Sequence, residues 1–157
     1  MHFRSLPQLV ADADAHLTKA KGHGMEQLVA KLYKERSRKS LGDFNLTEHV
    51  KNFWDKADHS AAQVEINLVA LDDQTRTARL DTCKRIADKL LSDLPRFDRH
   101  VATFGTLMPR FSGWTVQKVA IAPTLSPAQR SAIVAAGYIA PDLHDLTAGL
   151  LTRQEPA

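Results

Sequence analysis

Polar residues two positions apart occur in two neighbouring segments that have the pattern of β-strands. Glu65 and Asn67 lie in the first segment, and Thr82 and Lys84 lie in the second. Because side chains alternate along a strand, residues two apart point to the same face. Carboxylates on adjacent strands, often with a third from a preceding helix such as Glu26, can hold Mg²⁺ for phosphodiester hydrolysis. A nearby lysine can then stabilise the attacking water or the charge that develops on the phosphate.

The same segments resemble a known superfamily. Residues 63–70, QVEINLVA, resemble the EIDLVA strand of the PD-(D/E)XK nuclease-like superfamily, and Thr82-Cys83-Lys84 resembles its Glu-x-Lys strand. More closely, residues 50–70, with Phe53-Trp54-Asp55 before the strand, resemble the C-terminal domain of unknown function of archaeal and bacterial AAA-type (DEXX-box) ATPases. The likeness is concentrated in residues 51–84 and extends more loosely over most of the chain. It implies a restriction-endonuclease-like fold and, as one setting, an accessory domain of an ATPase.

Two departures from the family pattern concern the metal site. Asn67 stands at the position of the metal-binding aspartate, and Thr82 stands at the position of the glutamate before Cys-Lys. The site therefore loses two negative charges, and Mg²⁺ depends on carboxylates because it gives up its waters reluctantly. We favour a degenerate, catalytically inactive domain that binds nucleic acid or a protein partner. In such a domain, Lys84 is expected to pair with Glu26 or Glu65.

The alternative hypothesis is a rebuilt site that retains weak endonuclease activity. In this hypothesis Glu26 and Glu65 would bind Mg²⁺ or Mn²⁺, and Lys84 would act at the attacking water. Asp81 is adjacent to Thr82 and should point to the opposite face of its strand, so it is not expected to replace the missing glutamate. Removal of Glu26 or Lys84 should then abolish cleavage without unfolding the chain.

A basic cluster offers a candidate phosphate contact. The chain carries a formal net charge of +3, and the segment KLYKERSRK (residues 31–39) sets five basic side chains against Glu35. Those five residues are Lys31, Lys34, Arg36, Arg38 and Lys39. Binding of phosphates by such a cluster would weaken steeply as salt rises. The plainer interpretation is a solvated helix end, where cations interact favourably with the C-terminal dipole.

Other candidate sites have weaker patterns. Asp12 and His16 are four apart on a predicted helix and could hold a transition metal, but an exposed helix face is the plainer interpretation. The segment His23-Gly24-Met25-Glu26 could bind an anion at a helix start, or simply reverse the chain between two helices. Cys83 should be a small buried residue rather than a nucleophile. Phe53 and Trp54 could stack on bases, but core packing is the more common use of such residues.

The elements that must position these residues follow from hydrophobic periodicity. Alternation predicts strands near residues 49–54, 64–71, 78–84, 114–122 and 138–140, with Ile66, Leu68 and Ala70 on one face of the second. Helices should begin near residues 5, 25, 86, 126 and 142, the third disturbed by Pro95. The order α-α-β-β-β-α-β-α-β-α predicts an α/β fold, a mixed sheet of four to five strands flanked by helices. We expect one domain over residues 1–157, with an N-terminal helix over 1–20, a core over 24–151 and a frayed tail over 152–157.

Composition excludes several classes of protein. The 157 residues are 43% hydrophobic and 25% charged, which is typical of a globular domain. No segment has the roughly 18 apolar residues of a membrane-spanning helix, and the N-terminus lacks the pattern of an export signal. One cysteine excludes an internal disulfide, and no P-loop is present. We expect a cytoplasmic protein with no membrane partner, and with no cofactor other than Mg²⁺ or Mn²⁺ if it is active.

Overall fold

The computed structural model describes residues 24–55 and 64–150, without the side chains of Trp54 and Asp55. The predicted helix over 1–20 with Asp12 and His16, and the predicted tail over 152–157, lie outside the described residues. The helices are α1 (Met25–Arg38), α2 (Ala87–Leu107), a 3-10 turn (Pro109–Phe111), α3 (Pro127–Ala135) and α4 (Leu143–Thr147). The strands are β1 (Glu48–Asp55), β2 (Val64–Asp72), β3 (Thr77–Cys83) and β4 (Thr115–Ile121).

The strands form one mixed sheet in the order β1-β2-β3-β4. Strands β1, β2 and β3 are antiparallel neighbours, and β4 runs parallel to β3. The parallel pair requires a crossover, which α2 supplies because it lies between β3 and β4 in the chain. The predicted fold class, an α/β fold with a mixed sheet flanked by helices, is confirmed.

A helix covers each face of the sheet. The buried residues Leu90, Leu94, Phe97 and Phe104 of α2 pack with Leu80 of β3 in one core cluster. On the other face, α1 buries an apolar stripe against Leu68 and Ala70 of β2 and Cys83 of β3. The residues of that stripe are Met25, Leu28, Val29, Leu32 and Tyr33. The β2–β3 hairpin is therefore the centre of the molecule, and its two faces have separate surroundings.

The turn of this hairpin is held by Asp72. One carboxylate oxygen of Asp72 accepts hydrogen bonds from the backbone N–H groups of Gln74 and Thr75, and the other accepts one from the N–H of Asn45. These bonds to the ionised carboxylate keep the pKa of Asp72 below its usual value, even though burial acts in the opposite direction.

Strict alternation does not hold along β2. Ile66 belongs to the same core cluster as Val69, whereas Leu68 belongs to the cluster of α1. The prediction that Ile66, Leu68 and Ala70 share one face is therefore wrong. The interruption falls at Asn67, whose expected partner on β1 is Asn52; that pair is missing from the ladder, and Asn52 has a left-handed φ of 54°.

Three predicted elements differ in extent. Pro95 does not end the long helix, because buried residues on both sides of it hold α2 against the sheet as far as Leu107. The predicted strand 138–140 is a single parallel bridge between Ile139 and Val119. The last helix ends at Thr147 instead of 151.

The helix starts predicted near residues 126 and 142 are confirmed. Ser126 and Asp142 each form a capping box with the residue three positions later. Within the described residues, no helix is long and apolar enough to cross a membrane.

Candidate functional site

One concave surface collects side chains from β2, β3 and α2, and we call it the hairpin pocket. Four of its lining residues are those singled out by the sequence: Glu65, Asn67, Thr82 and Lys84. Asn67 and Thr82 lie on neighbouring strands, and Lys84 directly follows β3. The alternation of β3 therefore brings the predicted Thr-x-Lys pair to one side of the sheet, as expected.

The remaining wall of the hairpin pocket comes from α2. Asp93, Arg96, Phe97 and His100 line it. Their spacing of three, four and seven positions places them on one face of the helix. Asp93, Arg96 and His100 are not among the residues predicted from the sequence, although this spacing indicates them once the helix is known to continue past Pro95.

Asn67 is bound into the backbone of the hairpin. Its side-chain oxygen, Oδ1, accepts a hydrogen bond from the backbone N–H of Cys83 at 2.9 Å. The β2–β3 ladder ends at the pair Leu68–Asp81, so this side chain continues the pairing where the backbones separate. The oxygen that would face a metal ion is neutral and already accepts an N–H group, which makes it a poor ligand for Mg²⁺.

Lys84 forms an ion pair with α2. Its Nζ lies 3.1 Å from Oδ2 of Asp93, and both side chains are about one-third exposed. The expectation that Lys84 pairs with Glu26 or Glu65 is wrong. Asp93 lies closer in space because α2 follows β3 after a short connection and packs directly over the hairpin.

Glu65 lies at the open end of the hairpin pocket. One of its carboxylate oxygens is 3.5 Å from a terminal nitrogen of Arg96, and both side chains are more than half exposed. The backbone N–H of Glu65 donates to Nδ1 of His100 at 3.2 Å. Nδ1 of His100 therefore acts as a hydrogen-bond acceptor in this contact.

Glu26 does not line the hairpin pocket. It is buried in α1, only 2% exposed, and its Oε1 accepts a hydrogen bond from Nδ2 of Asn52 at 3.2 Å. The structure therefore brings Glu65 and Lys84 to one pocket but places Glu26 against β1. Over residues 24–55 and 64–150, no three His, Cys, Asp or Glu side chains are close enough together to hold a metal ion.

The opposite face of β3 buries an acid and a thiol. Asp81 is completely buried, and its Oδ2 accepts a hydrogen bond from the Tyr33 hydroxyl at 2.6 Å. Burial raises the pKa of Asp81 to about 7, although the Tyr33 bond and the charge of Arg79 act to lower it. Burial also raises the pKa of Cys83, and Asp81 and Glu26 add to that effect. Cys83 is thus the buried, unreactive thiol that was predicted.

Phe53 packs edge-on against Phe104, with ring centroids 5.1 Å apart. Its use in the core confirms the packing interpretation over base stacking.

The basic cluster of α1 divides into three kinds of residue. Arg36 and Lys39 donate to backbone carbonyls at the end of α4, at Ala148 and Leu150. Arg38 pairs with Glu35 one turn away. Lys31 and Lys34 are exposed. Part of the predicted phosphate contact therefore serves to attach the last helix.

A second set of bases lies on α2 or directly before it. Arg85, Lys89 and Arg99 are exposed, and no carboxylate of the described residues lies within ion-pair distance of them. Lys89 lies one helical turn before Asp93, and Arg99 lies beside His100. We call Arg85, Lys89 and Arg99 the rim bases, because they lie on or next to the helix that supplies one wall of the pocket, where Lys84 and Arg96 are the basic lining residues.

Comparison with known proteins identifies no family for this chain. No protein-family model matches the sequence, and no curated protein matches it. Among solved structures, the chain is similar to the small subunit of the heterodimeric restriction endonuclease R.BspD6I. That similarity has a TM-score of 0.38 at 16% sequence identity, and it covers 76% of this chain and 69% of the subunit. The resemblance to ATPase-associated domains stays a prediction.

Proposed function

We propose that this chain is a degenerate nuclease-like domain that binds nucleic acid over its hairpin pocket without cleaving it. The observation that carries the proposal is the distribution of charge there. Each carboxylate of the pocket is paired with a base, Asp93 with Lys84 and Glu65 with Arg96, and further bases on the rim have no such partner among the described residues.

The chemistry of the pocket argues against a tightly held metal ion. A Mg²⁺ site relies on closely spaced carboxylates that are free to face the ion. Here Asn67 and Thr82 are neutral, and Oδ1 of Asn67 accepts the Cys83 N–H at 2.9 Å. The two carboxylates that line the pocket would each have to leave a cation before they could bind a metal.

The same charges suit a polyanion. A phosphate backbone is bound by lysine and arginine side chains, each of which releases counterions from the nucleic acid. Arg85, Lys89 and Arg99 lie on or next to α2, the element that also supplies the pocket wall. A strand that followed this helix would contact the rim bases first, and it could then reach Lys84 and Arg96.

An accessory role beside an ATPase would fit such a domain, as the sequence resemblance implies. A protein partner is the other outcome of the binding test, and it is the one to pursue if the protein does not bind nucleic acid.

A second candidate function is favoured by one observation. Glu65 lines the same pocket as Lys84, as a rebuilt endonuclease site using Mg²⁺ or Mn²⁺ would require. Glu26, the other ligand of that hypothesis, is hydrogen-bonded to Asn52 and does not line the pocket. A rebuilt site would therefore draw its second carboxylate from Asp93 or require Glu26 to move.

The deciding experiment combines cleavage and binding on the full chain. Supercoiled, linear and single-stranded DNA are incubated with Mg²⁺ or Mn²⁺, with EDTA as the control, and binding is followed by fluorescence anisotropy over a series of salt concentrations. We expect no cleavage, and binding that weakens as salt rises. Metal-dependent nicking that is lost in both Lys84→Ala and Glu65→Ala would overturn the proposal in favour of the second candidate.

Two matched double variants locate the binding surface. Lys89→Gln with Arg99→Gln removes two charges from the rim, and Lys31→Gln with Lys34→Gln removes two from α1. The rim variant should reduce the slope of log affinity against log salt on duplex DNA by about 2, since each phosphate contact contributes about 0.9. A reduction found only in the α1 variant would move the site to the cluster of α1. Salt-independent binding, or none, would leave the protein-partner function.

A further inference from the structure

A second concave surface lies on the opposite side of the sheet from the hairpin pocket. It is formed by the C-terminal half of α1, the loop that follows and β3, and its walls include Tyr33, Arg36, Asp43, Phe44 and Arg79. We call it the arginine pocket. Its residues face α1, whereas Thr82 and the hairpin pocket face α2, so the two pockets can be tested separately.

Arg79 is held in place from two sides. Its Nε donates to the side-chain oxygen of Gln117 on β4 at 2.9 Å. Its guanidinium carbon lies 4.3 Å from the centroid of the Phe44 ring and 5.7 Å from that of Tyr33. These contacts orient the planar group and leave its two terminal nitrogens without a hydrogen-bond partner among the described residues. A guanidinium fixed in this way is a pre-organised donor for an oxyanion.

Arg36 is held in place through one of its terminal nitrogens. One terminal nitrogen donates to the carbonyl oxygens of Leu146 and Ala148, at 3.4 and 2.8 Å. The other terminal nitrogen lies beside Gly42, at the wall of the pocket. Arg36 therefore has donors left over in the pocket that Arg79 also lines.

These two arginines differ from the other half-buried bases. Lys84, Lys118 and Arg130 each have a carboxylate within ion-pair distance, from Asp93, Asp98 and Asp145 respectively. No carboxylate of residues 24–55 and 64–150 lies within that distance of Arg36 or Arg79. Asp81 and Arg79 attract each other, but they are not within ion-pair distance. The carboxylate of Asp81 instead accepts a hydrogen bond from Tyr33. Both uncompensated bases line one pocket, where the single acid is the exposed Asp43.

We propose that the arginine pocket binds a phosphate group, either inorganic phosphate or a phosphate monoester at the end of a nucleic acid. Two guanidinium groups present paired N–H donors and a charge of +2, which matches a tetrahedral dianion better than it matches a single carboxylate. Asp43 opposes the binding by repulsion, so it limits affinity in the unmodified protein.

The test is a calorimetric titration of the full chain with inorganic phosphate. Arg79→Gln should weaken binding by about tenfold or more, as expected for loss of charge-assisted hydrogen bonds. Asp43→Asn should tighten it, because a repelling charge is removed. Lys51→Gln removes one positive charge from an exposed position on β1, outside the pocket, and should leave the affinity unchanged.

Two results overturn the proposal. One is the absence of saturable phosphate binding in the unmodified protein and in Asp43→Asn. The other is a folded Arg79→Gln protein that binds as tightly as the unmodified one. If Arg79→Gln does not fold, the Asp43→Asn result decides, and an unchanged affinity there overturns the proposal.

Titration with oligonucleotides distinguishes the two sources of phosphate. An oligonucleotide with a 5′-phosphate is compared with the same sequence ending in a 5′-hydroxyl. Binding of the phosphorylated strand that is tighter than binding of both the hydroxyl strand and inorganic phosphate, with the difference between the strands lost in Arg79→Gln, assigns the pocket to nucleic-acid ends. Equal affinity for inorganic phosphate and the phosphorylated strand assigns it to free phosphate.

Discussion

Two adjacent residues of β3 lie in opposite surroundings. Thr82 faces the hairpin pocket, where the nearby charges are partly exposed and paired across the surface. Asp81 faces α1, where it is completely buried and bonded to Tyr33. The family pattern that the sequence resembles requires an acid at the position of Thr82. This chain has its acid one residue earlier.

An offset of one residue along a strand changes what a carboxylate can do. On the pocket side, an acid would meet Lys84 and could approach a metal ion. On the helix side, the same group is shielded from water, its pKa rises to about 7, and its Oδ1 has no hydrogen-bond partner in the described part of the chain. Counting acids near a motif is therefore a poor guide to a metal site unless the face of each acid is known.

The largest expected effect concerns the buried side of this comparison. In the unfolded chain Asp81 should titrate near 3.9, whereas in the folded protein its pKa is about 7. Because the folded state holds the proton more tightly, the contribution of Asp81 is most favourable below about pH 4 and becomes less favourable as pH rises to about 7. The full change is at most about 4 kcal/mol.

Urea unfolding between pH 4.5 and 8 tests this prediction. The Asp81→Asn variant cannot titrate at this position. Its free energy of unfolding should therefore increase relative to that of the unmodified protein as pH rises. Asp93→Asn, on the pocket side, is the matched control and should show no comparable change. A constant stability difference between Asp81→Asn and the unmodified protein across this range would contradict a raised pKa.

The second prediction transfers acids to the pocket side. Asn67→Asp with Thr82→Glu places two carboxylates where the family pattern has them. We expect the affinity for Mn²⁺ to increase by about 100-fold, equivalent to about 3 kcal/mol, because cation affinity depends strongly on the number of charged ligands. Electron paramagnetic resonance of free Mn²⁺ provides the measurement.

The control for this gain adds the same charge elsewhere. Gln27→Glu with Thr106→Glu introduces two acids at exposed helix positions. Similar Mn²⁺ affinities for the two double variants would show that net charge, and not the geometry of the pocket, attracts the ion.

The third prediction removes the hydroxyl that supports Asp81. Tyr33→Phe should lower the free energy of unfolding by about 2 kcal/mol at pH 8, because the ionised carboxylate loses its hydrogen bond. The loss should be smaller at pH 5, where the carboxyl is protonated. Tyr138→Phe is the comparison, since Tyr138 donates to Asp98, which remains partly exposed and paired with Lys118. Equal losses of unfolding free energy at both pH values would show that the stabilising effect of Tyr33 does not depend on the ionisation of Asp81.

Local patterns were sufficient to predict much of the sheet and one wall of the site. Alternation along β3 correctly placed Thr82 and Lys84 opposite Asp81 and Cys83, since that strand is regular. The same rule failed on β2, where the missing Asn52–Asn67 pair interrupts the ladder. A left-handed residue in a strand leaves little trace in the sequence, except that asparagine tolerates that conformation.

The other wall depended on contacts between distant residues. Lys84 was expected to pair with an acid of the motif, but it pairs with Asp93 because α2 follows β3 after a short connection and lies over the hairpin. Tyr33 and Asp81 are 48 positions apart, and nothing in either segment alone indicates that they meet. Glu26 has the expected place on α1, but its side chain bonds to Asn52 of β1. Packing between elements decides all three contacts.

The smallest expected effect concerns the ion pair on the pocket side. Lys84 and Asp93 are each about one-third exposed, so solvent screens their attraction. A double-mutant cycle with Lys84→Ala, Asp93→Ala and the double variant, measured by urea unfolding, should give a coupling free energy of about 0.5 kcal/mol. The corresponding cycle with Tyr33→Phe and Asp81→Asn at pH 8 should give a larger coupling, because that pair is buried.

A weak Lys84–Asp93 pair also bears on function. If the pair contributes only about 0.5 kcal/mol, Lys84 can leave Asp93 for a phosphate group at little cost, so the pocket remains able to bind a nucleic acid. A coupling above about 2 kcal/mol would mean that Asp93 holds Lys84 firmly. Binding would then have to rely on the rim bases Arg85, Lys89 and Arg99, and Lys84→Ala would leave DNA affinity unchanged.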